Sequence, residues 1–188
     1  MAAWVIDASV AAKWLLPEDG SDQASALLGD ALLVPDLLFA ELANIFWKKQ
    51  MRGEIDPATA DAAARWLMQA PLQVHPCAGL TAEAVGLSIR LQHPAYDCFY
   101  LALARRSGCP LVTADRRLVE RCQRADAVDL GALLVLLGGQ GRSRAALTPR
   151  LPSRPLLVDG QQRRCTVTPG AASRSSPMAS GWPSNSTS

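Results

Sequence analysis

Two short apolar runs, "AWVID" at residues 3–7 and "PLVTAD" at residues 110–115, each end on a carboxylate with a hydroxyl close by. Trp4, Val5 and Ile6 lead into Asp7 and Ser9, and Leu111 and Val112 lead into Thr113 and Asp115. A continuous β-prone run with no polar alternation suits a strand buried on both faces, the environment of a parallel sheet covered by helices. Parallel strands cannot be joined by hairpins, so the chain between them has to supply crossover helices. In such open α/β sheets, ligands bind beyond the carboxyl ends of the strands. The two runs therefore point to one fold class and to one rim of it.

The rest of the chain up to about residue 135 alternates short apolar runs with helical patterns. Residues 3–6 read as a strand, "ASVAAKWLL" as a short helix, and "GSDQASALLGD" as a second helix capped by Ser21 or Asp22. "ALLVP" is a strand ended by Pro35. In "DLLFAELANIFWKKQMRG" the apolar positions Leu38, Leu42, Ile45 and Phe46 recur at helical spacing, and Gly53 is a natural stop. Asp56 and Pro57 stand at the cap and first position of a further helix. "LQVHP" reads as a brief strand, and "TAEAVGLSIRLQ" and "AYDCFYLALARRSG" as helices. "CPLVT" is a strand, "DRRLVERCQR" a last helix, and "AVDLGALLVLL" holds a final short strand or an apolar terminal segment. The expected architecture is α/β, three layers, with a short, mainly parallel central sheet flanked by helices.

Composition divides the chain of 188 residues at about Leu137. Residues 1–137 carry 12 Lys and Arg against 16 Asp and Glu; residues 138–188 carry seven Arg against the single acid Asp159. The net charge of +2 thus comes from the second segment and says nothing about nucleic-acid binding by the first. Residues 138–188 are rich in Ser, Pro, Gly and Arg without periodicity, and they are expected to be disordered. Five cysteines without a C-x-x-C pair suit a reducing, cytoplasmic setting rather than a disulfide framework or zinc site. No apolar run reaches the length of a membrane span. His75 and His93, which are not spaced as helical metal ligands, read as loop or strand-end histidines.

Four acids stand out. Asp7 and Asp115 close the two strands, although each alone reads as a helix N-cap. Glu41 interrupts the apolar half of the long helix and shares a narrow polar stripe with Asn44 and Lys48; a solvated face explains it equally well. Asp97 lies in the first turn of an apolar helix, where the dipole also favours a carboxylate. Gathered at one rim, the four repel: a pair about 4 Å apart costs about 4 kcal/mol at an effective dielectric of about 20. A hard divalent cation such as Mg²⁺ or Mn²⁺ removes that conflict, and it keeps waters suited to phosphodiester hydrolysis.

In order and context, "VIDASV", "LLVPDLLFAELANIFWKK", "AYDCFYLALARRSG" and "PLVTADRRL" resemble the successive motifs of PIN-domain ribonucleases, most closely the VapC-type toxins of bacterial toxin–antitoxin modules. The resemblance covers residues 1 to about 135 and leaves the segment 138–188 unmatched. It implies a metal-dependent endoribonuclease in which Asp7, Glu41, Asp97 and Asp115 form the acidic quartet. Ser9 and Thr113 would support the metal site, with Asn44 as a neighbour of Glu41. It also implies homodimerisation, and neutralisation by a small cognate antitoxin.

Lys13, Lys48, Arg116 and Arg117 lie near the rim in sequence and could hold RNA phosphates. Lys49, Arg105 and Arg106 read as helix-end charges. Trp14 and Trp47 could stack bases, though helical spacing also suits packing or a partner interface. Two other classes compete. A phosphohydrolase of the haloacid-dehalogenase pattern needs a second Asp two residues after the first, where this chain has Ser9. A non-catalytic RNA-binding module would have no need of the full quartet. If the domain is 1–137, a chain cut after Leu137 keeps its circular dichroism spectrum and its RNA cleavage; loss of solubility or of cleavage overturns that boundary.

Overall fold

The computed structural model describes residues 2–124 and 127–137. The segment 138–188 expected to be disordered lies outside the described residues. Five strands form one sheet in the order β3-β2-β1-β4-β5: β1 (Ala3–Ile6), β2 (Ala31–Pro35), β3 (Leu72–His75), β4 (Leu111–Thr113) and β5 (Leu134–Leu136). Every pairing is parallel, so the sheet is wholly rather than mainly so. The three inner strands owe their positions to their apolar runs. Val5 and Ile6 of β1, Leu32 and Val34 of β2, and Leu111 and Val112 of β4 are fully buried. That is burial on both faces.

The chain steps outward from β1 through β2 to β3, then returns past β1 to add β4 and β5. The reversal falls between β1 and β4, and such a switch point opens a crevice at the carboxyl ends of the strands. Val5 pairs with Leu111 and Ile6 with Val112, and the amide of Asp7 donates to the Val112 carbonyl at 3.2 Å. Asp7 and Thr113 therefore emerge side by side at that crevice.

The helices are α1 (Ala8–Ala11), α2 (Ser21–Ser25), α3 (Leu37–Met51), α4 (Pro57–Leu67), α5 (Thr81–Leu91), α6 (Ala95–Ser107), α7 (Arg116–Cys122) and α8 (Val128–Gly131). Helix α6 packs on β1, β2 and β4 and is braced from outside by α5. Its residues 100–104 are buried without a break, more than the single stripe of a surface helix. Helix α3 buries Leu38, Leu42 and Phe46, with Ile45 partly covered. Helix α4 begins as expected, with the Asp56 carboxylate accepting from the Thr59 amide at 2.6 Å and Pro57 in the first turn.

Two local expectations fail. The segment after β1 is not one helix: α1 tightens into a 3₁₀ turn at Ala12–Trp14. Neither Ser21 nor Asp22 caps α2, because the cap position is Gly20, at φ +87°, a left-handed conformation open to glycine. The Ser21 hydroxyl instead accepts from the Glu18 amide at 2.9 Å and donates to the Leu16 carbonyl, closing the preceding turn.

Truncating Leu101, fully buried on α6, should cost about 2–5 kcal/mol through lost burial and a residual cavity. Met68→Ala, at a side chain 75% exposed, should stay within about 0.5 kcal/mol. Urea unfolding of both variants checks this, and equal midpoints would remove α6 from the core.

Candidate active site

Asp7 follows β1 and caps α1, and it is only 6% exposed. Burying a carboxylate is costly unless its oxygens are satisfied, and here they are. Its Oδ1 accepts from the Ser9 amide at 3.1 Å; its Oδ2 accepts from the Ser9 hydroxyl at 3.0 Å and from the Thr113 hydroxyl. Both hydroxyl oxygens accept in turn from β4's exit: Ser9 Oγ from the Ala114 amide and Thr113 Oγ1 from the Asp115 amide, each at 3.0 Å. Ser9 and Thr113 thus have a definite geometry around Asp7. They hold Asp7 and lace the ends of β1 and β4 together.

Glu41 sits three residues after buried Leu38, at the margin of α3's apolar face, and is half-buried. Its Oε2 accepts from the Tyr100 hydroxyl of α6 at 2.5 Å, tying the two helices. Asp97, in the first turn of α6, has its Oδ2 2.7 Å from His93 Nε2. Asp115 caps α7, accepting at Oδ1 from the Arg117 amide at 2.8 Å and the Leu118 amide at 3.4 Å. Asp115 thus takes the capping role expected of it, and its charge also reaches Asp97.

The acids form one electrostatic group. Burial raises the Asp7 carboxyl above the usual range, against the Thr113 and Ser9 hydrogen bonds, and the Asp97 charge adds to the rise. Burial pushes Glu41 up to about 7, opposed by the Tyr100 hydrogen bond and reinforced by the charges of Asp7 and Asp97. Burial also raises Asp97, with His93 opposing and Asp115 adding. Each member of the predicted quartet is therefore close enough to another to disturb it.

Of the flanking residues, Asn44 and Lys48 lie exposed on α3, and Arg116 and Arg117 are exposed on α7. Lys13 is engaged: its ammonium lies 3.1 Å from Glu18, whose other oxygen is 2.6 Å from Lys49. Lys49 also reaches Glu54 at 2.8 Å, while Arg105 and Arg106 pair with Glu83. Trp14 donates to the Ala24 carbonyl and its ring lies 6.2 Å from that of Trp66, so it packs rather than standing free to stack a base. Trp47 is exposed.

Two residues beside the acids are not singled out by the sequence pattern. His93 reads as a loop or strand-end histidine, yet its imidazole adjoins Asp97, and Tyr100 reads only as part of a helical pattern. Their spacing of four and three residues from Asp97 is the available signal.

Residues 4–123 match the PIN domain family. The chain belongs to that family. Among its relatives, Ribonuclease VapC3 of Pyrobaculum aerophilum is 36% identical over 121 residues, 62% of this chain and 92% of the relative. Ribonuclease VapC9 of Mycobacterium tuberculosis is 33% identical over 119 residues, 63% of this chain and 91% of the relative. The crystal structure of PAE2754 from Pyrobaculum aerophilum shares the fold with a TM-score of 0.53 at 23% identity, covering 70% of this chain and 90% of that one. This PIN domain is thus of the VapC type, as its motifs predict.

PIN-family membership implies a divalent cation, and the donor set fits one. The four acids offer hard oxygen donors, and their mutual repulsion is relieved by positive charge. Without the cation, Glu41, Asp7 and Asp97 bind protons more readily folded than unfolded. Between about pH 4.5, the ordinary Glu value, and 7, the native state holds the extra protons, so stability falls as pH rises. Carboxyls held low, such as Asp36 and Asp129, have already ionised in that window. In EDTA, melting temperature should fall from pH 4.5 to 7, and Glu41→Gln should flatten the slope. A melting temperature that rises over this range in the parent protein would contradict the assignment.

Proposed function

We propose that this PIN domain, residues 1–137, is a metal-dependent endoribonuclease, the toxin of a type II toxin–antitoxin pair. The observation that carries this reading is the junction of β1 and β4, where buried Asp7 is held by Ser9 and Thr113 and meets Asp97 and Glu41 electrostatically. An RNA phosphate is an anion, and an acidic crevice repels it unless a cation stands between them. Mg²⁺, or Mn²⁺ in its place, would be held by Asp7, Glu41, Asp97 and Asp115. When bound, it supplies Lewis acidity toward the phosphate and the attacking water.

The chain's own groups provide the rest. Ser9 and Thr113 fix the Asp7 oxygens and favour their charged form, and Tyr100 fixes Glu41. The carboxylates position reactants rather than attack phosphorus. Exposed Lys48, Arg116 and Arg117 are available to RNA phosphates, whereas Lys13 is committed to Glu18. Single-stranded or loop RNA is the substrate that suits an open crevice, and its cleavage would halt translation.

For partners, α3 presents Trp47 and Met51 one turn apart, both exposed. Exposed apolar side chains of this kind suit a docking surface, consistent with a cognate antitoxin. A homodimer and a cytoplasmic location complete the reading. No helix among the described residues is long and apolar enough to cross a membrane. No disulfide joins any two of the described cysteines Cys77, Cys98, Cys109 and Cys122.

RNA incubated with the purified chain should be cut in Mg²⁺ or Mn²⁺ and left intact in EDTA. Asp97→Asn should lower the rate by roughly 10²–10³-fold, the scale of losing one preorganised electrostatic contact. Its melting temperature in EDTA should hold or rise, because one repelling charge is gone. Unchanged cleavage in Asp97→Asn, or cleavage that persists in EDTA, would overturn the assignment.

A further inference from the structure

We propose that His93 supplies a nitrogen ligand beside Asp97 and Asp115, giving the cation site a preference for first-row transition ions over Mg²⁺. The inference rests on the metal-dependent reading above and adds a donor to it.

One side-chain atom from each of His93, Asp97 and Asp115 lies within 4.8 Å of the other two. His93 Nε2 and Asp97 Oδ2 stand 2.7 Å apart. Donors bonded to one ion at about 2.1 Å stand roughly 3 Å apart when adjacent and about 4.2 Å when opposite. Gathering all three means opening the 2.7 Å pair to roughly 3 Å and drawing Asp115 in from no more than 4.8 Å. The donors come from three places in the chain: the link between α5 and α6, the first turn of α6, and the cap of α7. Gln92, the one described non-glycine residue at positive φ (+49°), turns the chain immediately before His93. The Ser88 hydroxyl pins the next stretch by donating to the His93 carbonyl at 2.6 Å.

The His93 side chain is only 9% exposed, so its ring is set among the acids rather than resting in solvent. A neutral imidazole carries one proton. Placed on Nδ1, that proton leaves the Nε2 lone pair free, and ligation replaces the hydrogen bond to Asp97. Mg²⁺ selects oxygen donors and gains little from this nitrogen, whereas imidazole strengthens binding of the later first-row ions. His93 is thus a specificity-determining residue for the ion, placed next to the carboxylates that hold it.

The full chain and His93→Gln should be titrated calorimetrically with Co²⁺ and with Mg²⁺, and their Mn²⁺ complexes read by pulsed electron paramagnetic resonance for nitrogen coupling. The expected result is a loss of Co²⁺ affinity of roughly 10–100-fold in the variant, with Mg²⁺ affinity within about twofold. Nitrogen coupling should be present in the parent protein and absent from the variant. His93→Asn should behave likewise, and near-ultraviolet circular dichroism confirms that the variants are folded. Parallel losses for Co²⁺ and Mg²⁺, or a parent Mn²⁺ complex without nitrogen coupling, overturn the His93 assignment and leave the oxygen-ligated nuclease standing. No binding of any of the three ions by the parent protein overturns both.

Discussion

A carboxylate at the dry end of a central strand must be paired, and the pairing of Asp7 organises the rest of the molecule. Its two oxygens take three hydrogen bonds, from the Ser9 amide, the Ser9 hydroxyl and the Thr113 hydroxyl. Those hydroxyls also receive the amides of Ala114 and Asp115, so the same bonds that satisfy the acid set the path of the chain leaving β4. Asp115 is thereby delivered to the cap of α7 and to the neighbourhood of Asp97. The acid is tolerated because the fold surrounds it with donors, and the junction of β1 and β4 is held because the acid needs them.

The sheet does not neutralise all of this charge. Glu41, Asp7 and Asp97 are each raised by burial, and each is raised further by another acid of the group. Tyr100 and His93 offset part of the repulsion without removing it. A site that concentrates like charge in a half-dry crevice sacrifices some stability in exchange for affinity toward cations. Elsewhere the protein spends charge conventionally, as in the run Lys13–Glu18–Lys49–Glu54, which straps the turn after the 3₁₀ helix to the end of α3.

The strands and most helices were readable because burial on two faces demands unbroken apolar runs and crossover helices carry their own caps. Asp56 with Pro57, and the terminal Gly53 and Gly108, are examples. What escaped were choices made by backbone and contact rather than pattern. Gly20 takes the cap of α2 because the turn needs a left-handed residue there, which frees the Ser21 hydroxyl to close that turn. The tightening at Ala12–Trp14 has no marker in residue type. In the site, strand ends and out-of-place acids were legible one by one. Tyr100 was not, because its role depends on α6 lying beside α3, and the hydrogen bond to Glu41 joins residues 59 apart. His93 lacks helical ligand spacing to the other histidine, and its partner is instead Asp97, four residues on.

The hydrogen bond between Thr113 and Asp7 joins residues 106 positions apart, near the two ends of the folded chain. Contacts of such long range form late, because loop-closure entropy opposes them until the intervening elements have assembled. A polypeptide that ends before β4 has Asp7 and Ser9 but lacks the hydroxyl and amides that complete their setting. During synthesis the setting of Asp7 therefore comes together only after most of the domain has emerged. A growing chain of this kind carries the acid without its partners until the strand bearing Thr113 has been made.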